Sequence, residues 1–416
     1  MPLSRALIII CLILWGPIYR ALIDKLWMHS ANLVAVGQWA QLQTISDFVA
    51  TPAFVGVGVG LTVLIAQNER REYPPLLLSA YFLGLATTLP TLIIISIFSS
   101  TIDEYLQLGS HLRPQLELAS LSGWLAVAGG LLGSYWLGKN QQNKLLLFGL
   151  LTSIPIFLIL GSGYWRGFDA ISKSLMYTLL TISACVNVYI LIYFFKWKNK
   201  NDNYLAQLKH STSLLVKYLP AGFSIGLLTP LSMLISRSVI ASNLDWELAG
   251  ATVALLRTSD WILNGAQSTL YFYFLPKISK EINHTNPIKV MFRISLYILI
   301  PSLIALISLF IMQEQILHLL YDTRLNIDSN ISLIFWSGDF LRIISAIFLM
   351  GLYSLHCSKA IALGEFLSQP LYALLLFLGA ATSLINVGLA HLFTYLIYAL
   401  FCFLCFIYSA KEKVSH

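Results

Sequence analysis

The stretch RTSDWILNGAQSTLYFYFLPKISK, Arg257–Lys280, is an apolar segment of membrane length that carries Arg257 and Asp260 near its start and closes on Lys277 and Lys280. A charge inside an apolar span costs about 2.5–3.5 kcal/mol or more on insertion scales, so charges kept there have a functional or a pairing reason. An arginine and an acid three residues apart also share a helix face and can neutralise each other locally. Both readings start from the same premise, that the segment crosses a bilayer. The rest of the chain decides whether that premise holds.

It does. Of the 416 residues, 57% are hydrophobic and 11% charged, and the mean hydropathy is +0.75, whereas soluble domains average roughly 25% charged residues. Apolar runs repeatedly reach the ~20 residues a spanning helix needs. Twelve spans are predicted, at 4–26, 36–67, 75–100, 116–138, 143–162, 172–195, 212–240, 249–275, 287–312, 331–354, 358–378 and 384–410. In the first, Arg5 precedes the apolar run LIIICLILW and no small-residue cleavage site follows, so it reads as a retained helix rather than a signal peptide.

Lysine and arginine concentrate in alternate connections, at Arg70 and Arg71, Lys139 and Lys144, Lys196 to Lys209, Lys277 to Arg293, Lys359, and Lys411 and Lys413. The opposite connections are poorer in them and richer in acids such as Asp103, Glu104, Asp245, Glu247, Asp322 and Asp328. This bias places both termini in the cytoplasm. The net charge of +7 is thereby a topology signal, and no nucleic-acid partner is called for.

A basic stretch, KWKNKNDNYLAQLKH, divides six spans from six. Shifting the sequence by 213 residues superposes Pro17 on Pro230, Gly37 on Gly250, Leu42 on Leu255, Ser46 on Ser259 and Asp47 on Asp260 without a gap. Six spans per half is an even number, so the repeat is parallel, about an axis along the membrane normal. The expected fold is an all-α integral membrane protein with twelve transmembrane helices in two six-helix bundles related by a parallel pseudo-two-fold repeat. Its lobes are 1–196 and 212–416, with 197–211 as a cytoplasmic linker. In this register Asp260 has a twin and Arg257 has none, since Thr44 stands opposite it.

Charges inside the spans supply the candidate site. Arg20, Arg237, Arg257 and Arg342 form a candidate anionic-substrate cleft, able to hold a pyrophosphate by bidentate contacts. Asp24, Asp47, Asp260, Asp339 and Glu365 are candidate gating acids, or coupling acids for H+ or Na+. The spacing also allows plain local pairs, Arg20 with Asp24, Arg257 with Asp260 and Asp339 with Arg342. Gly56, Gly58 and Gly60 in FVGVGVGL permit close helix packing and lack the strand and lysine of a phosphate loop. Cys402 and Cys405 have metal-pair spacing but no second pair, so no metal site is predicted. The eight histidines, His391 among them, are scattered and read as packing or interfacial residues.

Three blocks carry a resemblance. LVAVGQWAQLQTISDF followed by VGVGVGLTVLIAQ is similar to the second helix of Wzx-type polysaccharide flippases of the multidrug/oligosaccharidyl-lipid/polysaccharide (MOP) exporter superfamily. ISRSVIASNLDWELAGATVALLRTSDWILNGAQSTLYFYFLPKIS resembles their seventh and eighth helices, and FWSGDFLRIISAIFLMGLYSLHCSKAIALGEFLSQ their tenth and eleventh. Arg237, Arg257, Asp260, Asp339 and Arg342 fall on charged places of that pattern, while GPIYRALIDKLW departs from it. The resemblance implies a MATE-like, V-shaped transporter in a bacterial inner membrane. It would flip an undecaprenyl-pyrophosphate-linked oligosaccharide, such as an O-antigen unit destined for lipopolysaccharide, from the cytoplasmic to the periplasmic leaflet. Alternating access driven by an ion gradient, as in an antiporter, is implied, with no cofactor; the implied partners are the lipid-linked glycan, membrane lipids, a polymerase and a chain-length regulator. The competing expectation is a multidrug or cation extruder of the same superfamily. A membrane polymerase or glycosyltransferase would need a long outer loop with acids or metal ligands, which the sequence lacks, so no catalytic residue is predicted.

Overall fold

In a bilayer core every backbone N–H and C=O must be bonded internally, and a chain this apolar satisfies them as helices. The computed structural model describes residues 22–23, 25, 33–67, 73–106, 113–163, 168–199, 202–281, 285–321 and 327–415, and among them there is no strand. Nine helices among these residues are long and apolar enough to cross a membrane, which makes the chain a multi-pass membrane protein. They fall on the second, third, fourth, sixth, seventh, ninth, tenth, eleventh and twelfth expected spans. The fifth and eighth are also helical, at Gln142–Gly163 and Trp246–Thr269; nearly all of the first lies outside the described residues.

The chain divides into two compact units, one of residues through Ala40 together with Ser232–His416, the other of Gln41–Leu231. Both divisions fall inside helices. The basic stretch expected as a linker is helical from Tyr204 onward.

The Gln41–Leu231 unit contains most of α1 (Leu33–Thr51), which passes through a wide π-helical turn at Pro52–Gly58 into α2 (Val59–Gln67). Pro52 has no N–H to donate, so a helix passing through it loses a rung, and the wide turn absorbs the defect. Next come α3 (Tyr73–Ile97), α4 (Ser99–Leu106), α5 (Arg113–Gly138), α6 (Gln142–Gly163), α7 (Phe168–Lys198), α8 (Tyr204–Val216) and α9 (Leu219–Phe223). Polar bonds tie three helices across an apolar core: Tyr81 of α3 donates to Asn187 Oδ1 of α7 at 3.0 Å, and Asn187 Nδ2 donates to Leu125 O of α5 at 2.8 Å. The Ser79 hydroxyl of α3 donates to Leu208 O of α8 at 2.9 Å, so α8 is tied to a span.

The glycine run does what its composition implies. A Cβ on Gly222 would come within 2.4 Å of Gly56 Cα and 2.5 Å of Pro52 O, so the two backbones touch. Gly226 packs in the same way against the Pro52 backbone, while Gly60 makes room for the Tyr218 ring. Gly222→Ala is expected to cost about 1–3 kcal/mol by overpacking, read as a lower melting temperature of the purified protein in detergent. A wild-type melt would contradict this account of the contact.

The second unit holds α10 (Thr229–Asn243) from Ser232 onward, α11 (Trp246–Thr269), a π-helical turn at Leu270–Phe274, α12 (Leu275–Glu281), α13 (Pro287–Ile311), α14 (Gln313–Tyr321) and α15 (Ser329–Ser354). It ends with α16 (Ser358–Gly364), a 3-10 turn at Glu365–Leu367, α17 (Gln369–Leu375) and α18 (Leu384–Ser415). Asp245 caps α11 by accepting from Leu248 N at 2.6 Å, and Asp328 caps α15 by accepting from Asn330 N at 2.9 Å. The core around α11, α15 and α18 is built on Leu255, Phe335, Trp336, Tyr372, Leu376 and Val387.

Two expected spans are not continuous helices. The seventh, read as 212–240, is broken after Val216, where Tyr218 N turns back to Leu215 O and Pro220 follows; a wide turn at Ser224–Leu228 then leads into α10. The eleventh, read as 358–378, breaks at Glu365–Ser368. There Pro370 cannot supply the N–H that would bond Phe366 O, and Ser368 leaves helical geometry at φ −97°, ψ −121°.

Candidate functional site

α15 turns Asp339 toward α11 and α18, where the residue is 1% exposed. A carboxylate so deeply buried persists only if its oxygens are satisfied. Arg342, one turn later on α15, donates from Nη1 to Asp339 Oδ1 at 2.8 Å. Ser259 of α11 donates from Oγ to Oδ2 at 2.5 Å, and His391 Nε2 of α18 lies 3.2 Å from Oδ1. Arg342 also reaches Asp260 Oδ1 of α11 at 3.5 Å and places its guanidinium 5.1 Å from the Tyr395 ring centroid. Three helices thus meet on one ion cluster.

Gly338 lets His391 come this close, since a Cβ there would sit 2.4 Å from His391 Cδ2. The broken eleventh span supplies a second buried acid, Glu365, 5% exposed. Ser368 Oγ donates to Glu365 Oε2 at 3.1 Å, and the Tyr398 hydroxyl of α18 donates to Oε1. Tyr395 joins the two acids, standing under Arg342 on one side and accepting from Gln369 Nε2 at 2.5 Å on the other. Glu365→Leu leaves the Tyr398 hydroxyl buried without its acceptor, an expected loss of about 1–3 kcal/mol. Glu365→Gln keeps an acceptor and should lose much less in the same melting assay.

The candidate residues fall in several places. Asp260, Asp339 and Arg342 are brought together, and Asp260 extends to another helix instead of being confined to a local pair with Arg257. Arg257 is half-buried, one turn before Asp260 on α11. Arg237 is half-buried on α10, donates from Nη1 to Ala40 O at 3.1 Å, and comes close enough to Tyr372 to act on it electrostatically. Asp47 belongs to the other unit and is exposed there. Arg20 and Asp24 lie outside the described residues. His391, Tyr395 and Tyr398 were not among the candidates. Their signal is the spacing of four and then three along α18, which puts three polar-tipped rings on one stripe of an apolar helix. Among the described residues no group of His, Cys, Asp and Glu could hold a metal ion.

No family model matches the sequence, and no curated protein is significantly similar to it. Solved structures match over nearly the whole chain. A Vibrio cholerae MATE transporter, VcmN in its bent form, aligns with a TM-score of 0.69 at 14% identity, covering 98% of this chain and 98% of that one. The fold is that of the MATE transporters of the MOP superfamily. A multidrug resistance MATE transporter in an outward-facing conformation aligns at 0.67 and 12% identity, over 98% of this chain and 94% of that one. A MOP superfamily transporter from Pyrococcus furiosus, described as having a binding pocket of reverse polarity that suggests a different function, gives the same 0.67, 12%, 98% and 94%. On this MATE-type fold, the ion cluster of α11, α15 and α18 lies wholly within the unit that contains Ser232–His416.

Proposed function

We propose that this chain flips an undecaprenyl-pyrophosphate-linked oligosaccharide from the cytoplasmic to the periplasmic leaflet of a bacterial inner membrane, by ion-coupled alternating access between lobes 1–196 and 212–416, with both termini in the cytoplasm. The observation that carries the reading is the set of half-buried arginines on α10, α11 and α15: Arg237, Arg257 and Arg342. Guanidinium groups in a membrane protein's interior are retained where they meet a planar anion, and a pyrophosphate offers several such faces. The resemblance of the Arg237–Ser279 region to polysaccharide flippases supports the same substrate class. The Pyrococcus furiosus relative, by its description, has a pocket of reversed polarity, so this fold has been linked to pockets of differing polarity.

A second reading, a multidrug or cation extruder, is favoured by the solved structures described as multidrug resistance transporters. The acids Asp260, Asp339 and Glu365 would then serve organic cations. Deleting the gene separates the two. A flippase deletion accumulates lipid-linked oligosaccharide in the cytoplasmic leaflet and loses surface glycan, with unchanged sensitivity to cationic dyes. Dye hypersensitivity with normal glycan display would select the extruder.

A further inference from the structure

Within the unit that contains Ser232–His416, a groove of about 370 Å3 opens between α13 and α15. One wall runs from Leu303 to Phe310, in the last turns of α13, the other from Leu333 to Leu341 on α15, and Leu392 of α18 completes the lining. The volume is that of a ligand site, commonly about 300–1,000 Å3, and the α13 wall is about 10 Å long at 1.5 Å per residue. No lining residue is charged, and the one hydroxyl among them is that of Ser337. Leu303, Ile307 and Leu333 are exposed, whereas Leu306 and Trp336 are buried. Both helices are membrane spans, so the exposed side faces hydrocarbon, and whatever enters the groove comes from the bilayer. An empty gap there forfeits dispersion contacts that a hydrocarbon chain would supply.

The internal repeat explains why the gap exists. Adding 216 to the bounds of α5 gives 329–354, those of α15, and adding 213 to the bounds of α3 gives 286–310, within one residue of α13. In the first half Trp124 stands in the place of Phe340, and its Nε1 donates to Leu85 O of α3 at 3.3 Å, which bridges the two helices. In the second half the indole belongs to Trp336, where the first half has Ser120, and its Nε1 donates instead to Leu255 O of α11 at 3.3 Å. Anchored to α11, this ring meets Phe310 of α13 edge-on, with centroids 6.5 Å apart and planes at 89°. The groove also shares two helices with the ion cluster, since Phe340 follows Asp339 on α15 and Leu392 follows His391 on α18.

We propose that this groove holds the polyisoprenoid tail of the lipid-linked substrate. The choice of a prenyl chain over the acyl chain of a bulk phospholipid rests on the proposed function. Lipid tails are as apolar as the lining, so burial alone does not select between them and shape must. A prenyl chain is methyl-branched and stiffened by double bonds, and the rings of Phe310, Trp336 and Phe340 offer it broad, flat walls. A straight acyl chain is narrower and fills the same gap less well. The cations of α13, Lys289 and Arg293, stand in its first two turns, at the opposite end from the groove. In the proposed orientation the groove therefore lies in the periplasmic half of the membrane, and it receives the tail once the head has crossed.

The test is photocrosslinking of the full chain in nanodiscs of phosphatidylethanolamine and phosphatidylglycerol. One probe is undecaprenyl pyrophosphate with a diazirine in its tail, the other phosphatidylglycerol with a diazirine in an acyl chain, and adducts are mapped by peptide mass spectrometry. Prenyl adducts should concentrate on Leu303–Phe310 and Leu333–Leu341, while acyl adducts spread over all the spans. Ser337→Leu combined with Phe340→Trp copies Leu121 and Trp124 of the first half into this face, and should lower prenyl labelling of the groove at least about fivefold as packing contacts are lost. Should that pair not fold, Ile307→Trp at the exposed edge narrows the groove from the other wall and should act in the same direction. Prenyl adducts spread like the acyl ones, acyl labelling of the groove equal to prenyl labelling, or full labelling of a folded, filled variant overturns the proposal. Flipping assayed on the same preparations separates the two claims. Groove adducts without flipping support the prenyl groove and sink the flippase reading; flipping without groove adducts does the reverse.

Discussion

Asp339→Ala is expected to destabilise the protein by about 3–5 kcal/mol, the cost of removing one partner from a buried ion cluster. Arg342 would lose its 2.8 Å acceptor, and Ser259 and His391 would lose theirs, in a place only 1% exposed to solvent. The remaining carboxylate, Asp260, is 3.5 Å from Arg342 and can compensate only in part. Thermal melting of a fluorescent-protein fusion in detergent reads the loss directly. Combining Asp339→Ala with Arg342→Ala should recover some of it, because the uncompensated guanidinium is then also gone, and double-mutant coupling of at least about 0.5–3 kcal/mol is typical of contacting groups. Additive losses would mean that the two side chains do not act as a unit.

Arg257→Ala is expected to abolish display of the finished glycan while the protein still inserts and melts normally. A desolvated guanidinium–phosphate contact is worth about 2–5 kcal/mol on truncation, which is roughly 30-fold or more in rate at limiting substrate. Arg257→Lys should restore only part of it, since a point charge cannot reproduce the planar fork. The repeat sharpens the choice of residue. Asp260 has a counterpart in Asp47, but Arg257 stands where the first half has Thr44. Normal glycan display by Arg257→Ala would remove the cationic cleft from the account.

Much of the architecture was readable because membrane spans are written in composition. Among the described residues nine spans appear where hydropathy and length put them, and Gly56 of FVGVGVGL lies where two backbones touch. The breaks were less legible. Pro370 sits inside an apolar run that reads as one span, and its missing N–H divides that run beside Glu365, giving the acid its partners Ser368 and Tyr398. The cluster was legible by halves. The spacing of Asp339 and Arg342 announces their pair, whereas the bond from Arg342 to Asp260 crosses between helices 82 residues apart, and nothing in local spacing encodes it. His391 was read as packing because a lone histidine in an apolar helix has no partner in sequence. Its partner is on α15, and the glycine that admits it, Gly338, precedes Asp339 by one residue.

The measurement that tests the central claim most directly is flipping by the purified protein in proteoliposomes. Lipid-linked oligosaccharide would be extracted from cells lacking this protein, loaded into vesicles, and its exposure on the far leaflet followed with a membrane-impermeant glycan-binding probe. The account predicts that the protein accelerates exposure well above protein-free vesicles, faster still under a proton gradient, and that Arg257→Ala does not. Exposure at the protein-free rate, by a protein that melts normally and exchanges cationic dyes across the same vesicles, would contradict it.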